Sequence, residues 1–266
     1  MIGVSDTQPA NDEYPAAGAC LLGPVEDTTA RQRAASVAHA LATNRSTTLL
    51  VSGGLAADET TRLPESHREG HCSSTTTIEG ETALDPVVSQ HNPSALVVKR
   101  TTEQHLLGEL FSDRAERLSA KTDVLTVDGR GKTDRIASIL VPIAGGAHSQ
   151  LAVETAVALA RANDAAVDLF HVIEADTDEN RDRGQTLLNT ALATIDESDA
   201  ERVDTWLYEA PDAPEAITEQ SNYYDLTVMG APTVGPLERF VFGSTSKHVQ
   251  READSPVIVA HAKNAE

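Results

Sequence analysis

Between Met229 and Thr245 the chain reads MGAPTVGPLERFVFGST, which sets Gly230, Gly243, Ser244 and Thr245 behind an apolar run that ends at Met229. These residue types at this spacing outline a phosphate cradle. A strand at Leu226 to Met229 delivers the backbone to a glycine-containing loop, and a helix opens at Ser244 with hydroxyls in its first turn. Backbone N–H groups in such a loop, with the positive end of a helix dipole behind them, hold an anion where side chains are small enough to let it approach. The spacing alone equally allows Gly230 to end a strand and Gly243-Ser244 to cap a helix without any ligand.

Other residues capable of chemistry form weaker patterns. His67 and His71, with Cys72 beside them, have a spacing that suits zinc, but they sit in a Gly/Ser/Thr-rich stretch and read as solvated loop; no metal site is expected. His148 opens a helix near the cradle and His171 lies inside a strand, where structural hydrogen bonding suits both better than acid–base work. Glu174 and Asp176 belong to a generally acidic surface. No strand–turn–helix carries a nucleophile elbow, and Gly129 to Thr133, GRGKT, lacks the upstream glycine and following apolar helix of a P-loop. The chain is therefore not expected to be an enzyme. Cys20, in an apolar strand, and Cys72, in a loop, are expected to be free thiols.

The 266 residues favour two domains of roughly 130 residues each. A net charge of −20 excludes nucleic acid and anionic lipid as partners, since phosphates repel such a surface. Only five of the basic residues are lysines, aromatics make up 3% of the chain, and Ala, Thr and Asp are abundant. This composition resembles that of proteins from salt-loving archaea, in which dense carboxylates keep the surface hydrated. No basic, apolar leader and no long apolar run is present, so a cytoplasmic protein is expected.

The elements that must position the cradle follow from periodicity. Residues 1–17, polar and with two prolines, are expected to lack regular structure. A strand at Ala19 to Leu22 precedes a helix opened by Thr28 or Thr29 and striped by Ala34, Val37, Ala38 and Leu41. Strand Thr47 to Ser52, a long loop from Gly53 to about Thr82, a short helix at Pro86 to Gln90, strand Ala95 to Val98, a helix at Asp113 to Ser119 and strand Val124 to Val127 complete residues 18–128. Residues 129–134 read as a linker. In residues 135–262 the order repeats: strand Ile136 to Ile143, a helix capped by Ser149, strand Val167 to Ile173, helix Gln185 to Ile195, strand Arg202 to Tyr208, helix Pro214 to Gln220, strand Leu226 to Met229, helix Ser244 to Arg251 and strand Pro256 to His261.

The two halves align without gaps when Pro24 is set against Pro142, and again when Val98 is set against Met229, so the chain reads as one domain present twice. Alternating strands and helices imply parallel sheets with right-handed crossovers. Ligands of such sheets sit beyond the carboxyl ends of the strands where the strand order reverses.

At those ends the second half reads ILVPIAGGAHS, LFHVIEA, DLTVMGAPT and VFGSTSKHVQREADSPVIVA, and together these segments resemble the universal stress protein family. The resemblance covers residues 135–262 well and residues 18–128 weakly. It implies two tandem five-stranded α/β sandwiches of the adenine-nucleotide hydrolase-like type. It further implies bound ATP or AMP in the second half, with Pro142 and Ala144 bordering the adenine and the backbone of Val172 on the base. Met229 and Gly230 would flank the ribose and phosphates, and Gly243, Ser244 and Thr245 would hold the phosphates. Two positions depart from the family. Ala144 stands where the family has an aspartate, and Thr233 replaces the second motif glycine and crowds the loop. In the first half Lys99, Thr102, Ser112 and Asp113 occupy the corresponding places, and the carboxylate of Asp113 would repel an anion. That copy is expected to bind no nucleotide and to serve by packing, with strand five of each half paired as an internal pseudo-dimer. The implied function is ligand sensing or regulation. The alternatives are a module acting on an amino-acid or cation transporter, a weak ATP hydrolase, or a structural pair that binds nothing; a further homodimer is compatible with each.

Overall fold

Helix faces built from alanine, and strands built from branched aliphatics, set the architecture. The computed structural model describes residues 19–23, 28–52, 75–78, 84–99, 115–130, 135–232 and 245–263, and the statements below concern these. In chain order they form β1 (Cys20–Leu22), α1 (Thr28–Asn44), β2 (Leu49–Ser52), β3 (Thr75–Ile78), α2 (Leu84–His91), β4 (Ala95–Lys99) and β5 (Asp123–Val127). Then follow β6 (Ser138–Pro142), α3 (Gly146–Asn163), β7 (Ala166–Ile173), α4 (Asp178–Leu192), β8 (Val203–Glu209), α5 (Ala213–Ser221), β9 (Leu226–Gly230), α6 (Thr245–Glu252) and β10 (Val257–His261).

All ten strands join one sheet in the order β3-β2-β1-β4-β5-β10-β9-β6-β7-β8. Each half carries its strands in the same relative order and in parallel. The halves meet where β5 and β10 pair antiparallel, Val127 opposite Ile258 and Val124 opposite His261. The expected internal pairing of the fifth strands is therefore present, and it fuses two five-stranded parallel sheets into one mixed α/β sheet. The starts of β1 and β6, and of α1 and α3, keep the spacing of the ungapped alignment, as do β4 and β9.

On one face the core is continuous across both halves. Ala30, Ala34, Ala38 and Ala42 of α1 and Ala152, Ala156 and Ala160 of α3 are buried at four-residue spacing, and small side chains along such ridges let two helices lie close. Both helices cover the inward-facing Leu22, Val97, Val141 and Ile258. On the other face each half has its own cluster, one around Leu21, Leu96 and Val124, the other around Leu140, Phe170, Met229 and Val259. Alternate residues of β6 thus serve opposite faces, Ile139 and Val141 one and Leu140 the other, which is why its sequence is uninterruptedly apolar.

Several elements differ from expectation. The segment read as loop contains β3, whose TTTI pairs in parallel with β2 from Thr75 opposite Leu49 to Ile78 opposite Ser52; three of the four residues are threonines, which suit a pleated strand despite their polarity. α4 starts at Asp178, not Gln185, because the Thr177 hydroxyl accepts the Asn180 N–H at 3.2 Å as an N-cap. Ser149 does not cap α3: the helix begins at Gly146 with Gly145 at the N-cap position. Cys20 is buried and forms no disulfide among the described residues. Cys72, His67, His71 and the first 17 residues lie outside the described residues.

Candidate functional site

In the second half the chain proceeds from β6 outward to β7 and β8, then returns to place β9 and β10 on the other side of β6. The order therefore reverses between β6 and β9, and the carboxyl ends of those strands border the crevice such sheets use for ligands. The structure brings Pro142, Ala144, Val172, Met229 and Gly230 to this edge. Pro142 is the last residue of β6, opposite Phe170; Ala144 is exposed two residues beyond it. Met229 is buried, its side chain packed among Leu140, Val249 and Val259, so only its backbone is offered to the edge. Thr233, Gly243 and Ser244 lie outside the described residues. Thr245, the first described residue of α6, is buried.

The β6–α3 turn is held from three sides. The Ile143 N–H donates to the Phe170 carbonyl at 2.8 Å. The Ile143 carbonyl accepts the His171 Nδ1–H at 2.7 Å, which fixes that tautomer. The Ala144 N–H donates to the Ser149 hydroxyl at 3.2 Å. Gly145 and Gly146 then turn through φ of 89° and 75°, conformations that disfavour any side chain. Gly145 at the N-cap position brings no side chain to cap α3, whose first turn lies beside the crevice.

Gly230 touches that turn directly. A Cβ there would lie 2.9 Å from the carbonyl carbon of His148 and 3.0 Å from the Ser149 nitrogen. The glycine thus lets the end of β9 and the first turn of α3 meet backbone to backbone. α6 also starts at this edge, because its other end is fastened at the opposite one. Asp128, just past β5, donates its N–H to the Val257 carbonyl at the start of β10 at 3.1 Å. Arg130 Nη1 donates to the carbonyls of Ala253 (3.0 Å) and Arg251 (3.2 Å), and Arg130 Nη2 to that of Gln250. Its Nε pairs with the buried Asp128 carboxylate at 2.6 Å. The positive ends of two helix dipoles, those of α3 and α6, therefore converge on one strand edge.

Around the crevice, burial pushes the imidazole of His171 below its usual range. Asp176 is paired with Arg181, and Glu174 is exposed. In the first half Lys99 ends β4 opposite Val127, at the place of Gly230; Thr102, Ser112 and Asp113 lie outside the described residues. A cavity of about 420 Å³ lies on the seam between α1, α3 and the segment after α4, where Asn44, Glu154, Arg161 and Asp196 line it. Among the described residues no three His, Cys, Asp or Glu side chains cluster as metal ligands, and no helix is long and apolar enough to cross a membrane.

Sequence reasoning missed Gly145, Gly146 and Gly184. The Gly-Gly pair behind an apolar strand was a visible signal. Gly184 was not, since its reason is tertiary: a Cβ there would lie 2.5 Å from Leu207 and 2.8 Å from His171, so its absence seats α4 on the sheet.

Residues 136–261 match the universal stress protein family. No curated protein matches the chain significantly. Among solved structures, the chain is similar to a universal stress protein from Archaeoglobus fulgidus DSM 4304, with 14% identity, 92% of this chain and 96% of that one covered, and a TM-score of 0.53. It is likewise similar to the cytoplasmic domain of a prokaryotic cation chloride cotransporter, with 18% identity, coverage of 94% and 97%, and a TM-score of 0.58. At these identities the likeness is one of fold. Sequence and topology thus agree that residues 136–261 carry a universal stress protein family domain.

Proposed function

We propose that the chain is a ligand-sensing regulatory protein built from two copies of one domain, residues 18–128 and 135–262, and that the second copy binds ATP or AMP at its carboxyl edge. The observation that carries this is the convergence of the α3 and α6 N-termini on the edge where the strand order reverses, beside Gly146, around which a side chain would meet nothing. An anion there meets amide hydrogens and helix dipoles without a side chain in the way. Met229, Gly230, Gly243, Ser244 and Thr245 would line the phosphate side, with Thr233 offering a hydroxyl in place of a glycine amide, and Pro142, Ala144 and Val172 the base side. Ala144 brings no carboxylate to the nucleotide. The protein works in the cytoplasm, without catalysis: bound nucleotide shifts the population of a conformation that a partner recognises. Calorimetric titration with ATP and with AMP in molar KCl tests this, a saturable heat at or below millimolar nucleotide being expected and its absence for both nucleotides refuting it.

A second role is favoured by the likeness over nearly the whole chain to a cotransporter's cytoplasmic domain: the pair of halves acts as a regulatory module on a membrane transporter. Co-purification with a membrane protein from native membranes would support that role, and its recovery only as a free protein would argue against it.

A further inference from the structure

The first turn of α3 is tied to the seam between the halves through a histidine. His148 is buried, and its Nδ1 accepts the N–H of Ala262, the residue after β10, at 2.9 Å. An acceptor Nδ1 carries no proton, so the ring is the neutral Nε2–H form. The ring of His261 stands edge-on to it with centroids 6.3 Å apart. From β5 comes Asp123, whose carboxylate accepts the Lys263 N–H at 2.7 Å and pairs with Arg45 of α1 at 2.7 Å. Arg45 in turn holds Glu154 of α3 itself at 2.8 Å. From β9 comes Gly230, uncharged, with its backbone against that of His148.

We infer that His148 and His261 form an acid-operated latch at the seam. A proton added to His148 Nδ1 turns the acceptor into a donor, leaves the buried Ala262 N–H without its partner, and sets side by side two imidazoles that both take up protons in acid. The end of β10 then parts from the first turn of α3, and Lys263 from Asp123. Burial holds the ring of His148 below its usual range against the pull of Asp123, and burial with the neighbouring His148 lowers His261 to about 4. The latch is therefore closed near neutrality and opens in acid. Because the same turn of α3 abuts Gly230, opening it also alters the crevice; this consequence alone rests on the nucleotide reading.

Amide hydrogen exchange of Ala262 between pH 7 and pH 4.5, corrected for intrinsic rates, tests the latch on the full chain and on His148→Asn, whose Oδ1 accepts the same N–H without titrating. The wild type is expected to lose protection at Ala262 at least tenfold more than His148→Asn does. Protection that is independent of pH in the wild type, or that falls equally in the variant, overturns the proposal. Should the variant not fold, the ring ¹⁵N shifts of His148 in the wild type decide: an unprotonated Nδ1 at pH 7 that titrates together with the Ala262 amide supports the latch, and a protonated Nδ1 at pH 7 overturns it. ATP titrations at pH 7 and pH 5 separate the consequence. Weaker binding at pH 5 supports coupling to the crevice and equal binding refutes it, whereas no binding at either pH refutes the nucleotide reading and leaves the exchange data to judge the latch.

Discussion

Two demands meet at Gly230, and they are separable. The backbone contact with His148 and Ser149 needs a glycine whether or not a ligand binds, so Gly230→Ala is expected to cost roughly 1–3 kcal/mol by overpacking. Denaturant unfolding in molar KCl would measure it; a change under about 0.5 kcal/mol would mean that α3 yields freely. His261 makes a second prediction at this scale. Its folded value of about 4 lies below the ordinary value near 6.5, so the unfolded chain binds the extra proton as the pH falls. The stability its neutral ring contributes is complete above pH about 6.5 and is lost as the pH falls through about 4, a swing on the order of 3 kcal/mol. Unfolding free energies of the wild type and His261→Asn should therefore diverge in slope across that window and run parallel above it. At single residues the sequence was only partly legible. Gly230 could be placed by its spacing behind an apolar strand, whereas Pro142 and Ala144 were assigned only through the resemblance to the family. The Ser149 bond to Ala144 and the positive φ of Gly145 and Gly146 depend on how α3 docks, which no local pattern states.

Among the elements, α6 is set by its two ends. Arg130 supplies the last turn with side-chain donors and shields the buried Asp128 carboxylate. Arg130→Met keeps much of the side-chain length but removes a charged partner of the buried carboxylate, which retains the residue-130 N–H; it is expected to cost about 2 kcal/mol and to speed exchange of the α6 amides over those of α3. Equal exchange in both helices would show that Arg130 does not hold α6. Strand positions were legible wherever both faces are buried, as in β6 and β10, because a continuous apolar run leaves no other assignment. The start of α4 was not, because its opening DENRDR contains nothing apolar to show a helical period and only the Thr177 cap marks it. β3 was hidden likewise by the polarity of its threonines.

For the whole molecule, the unit is the ten-stranded sheet with a core face shared by both halves. The repeated strand order was legible from the internal alignment, and the family match by sequence covers residues 136–261. In the first half the β4 end carries Lys99 where its counterpart has Gly230, so strand order persists where the residue type does not. The seam also concentrates Arg45, Asp123 and Glu154, in a chain of net charge −20. Screening of that charge supports the compact state. Dilution from molar to millimolar KCl is expected to lower the far-ultraviolet circular dichroism, and an unchanged spectrum would refute adaptation to salt.

One strand edge of the second half, and not its counterpart in the first, is proposed to receive an anionic nucleotide. Mapping backbone amide shifts in an ¹⁵N-labelled sample during titration with ATP tests it most directly. Shifts centred on Gly145, Gly146, Gly230 and Thr245 are expected, with Gly23 and Lys99 unmoved. Shifts centred on the first half, or none at millimolar ATP, would contradict it.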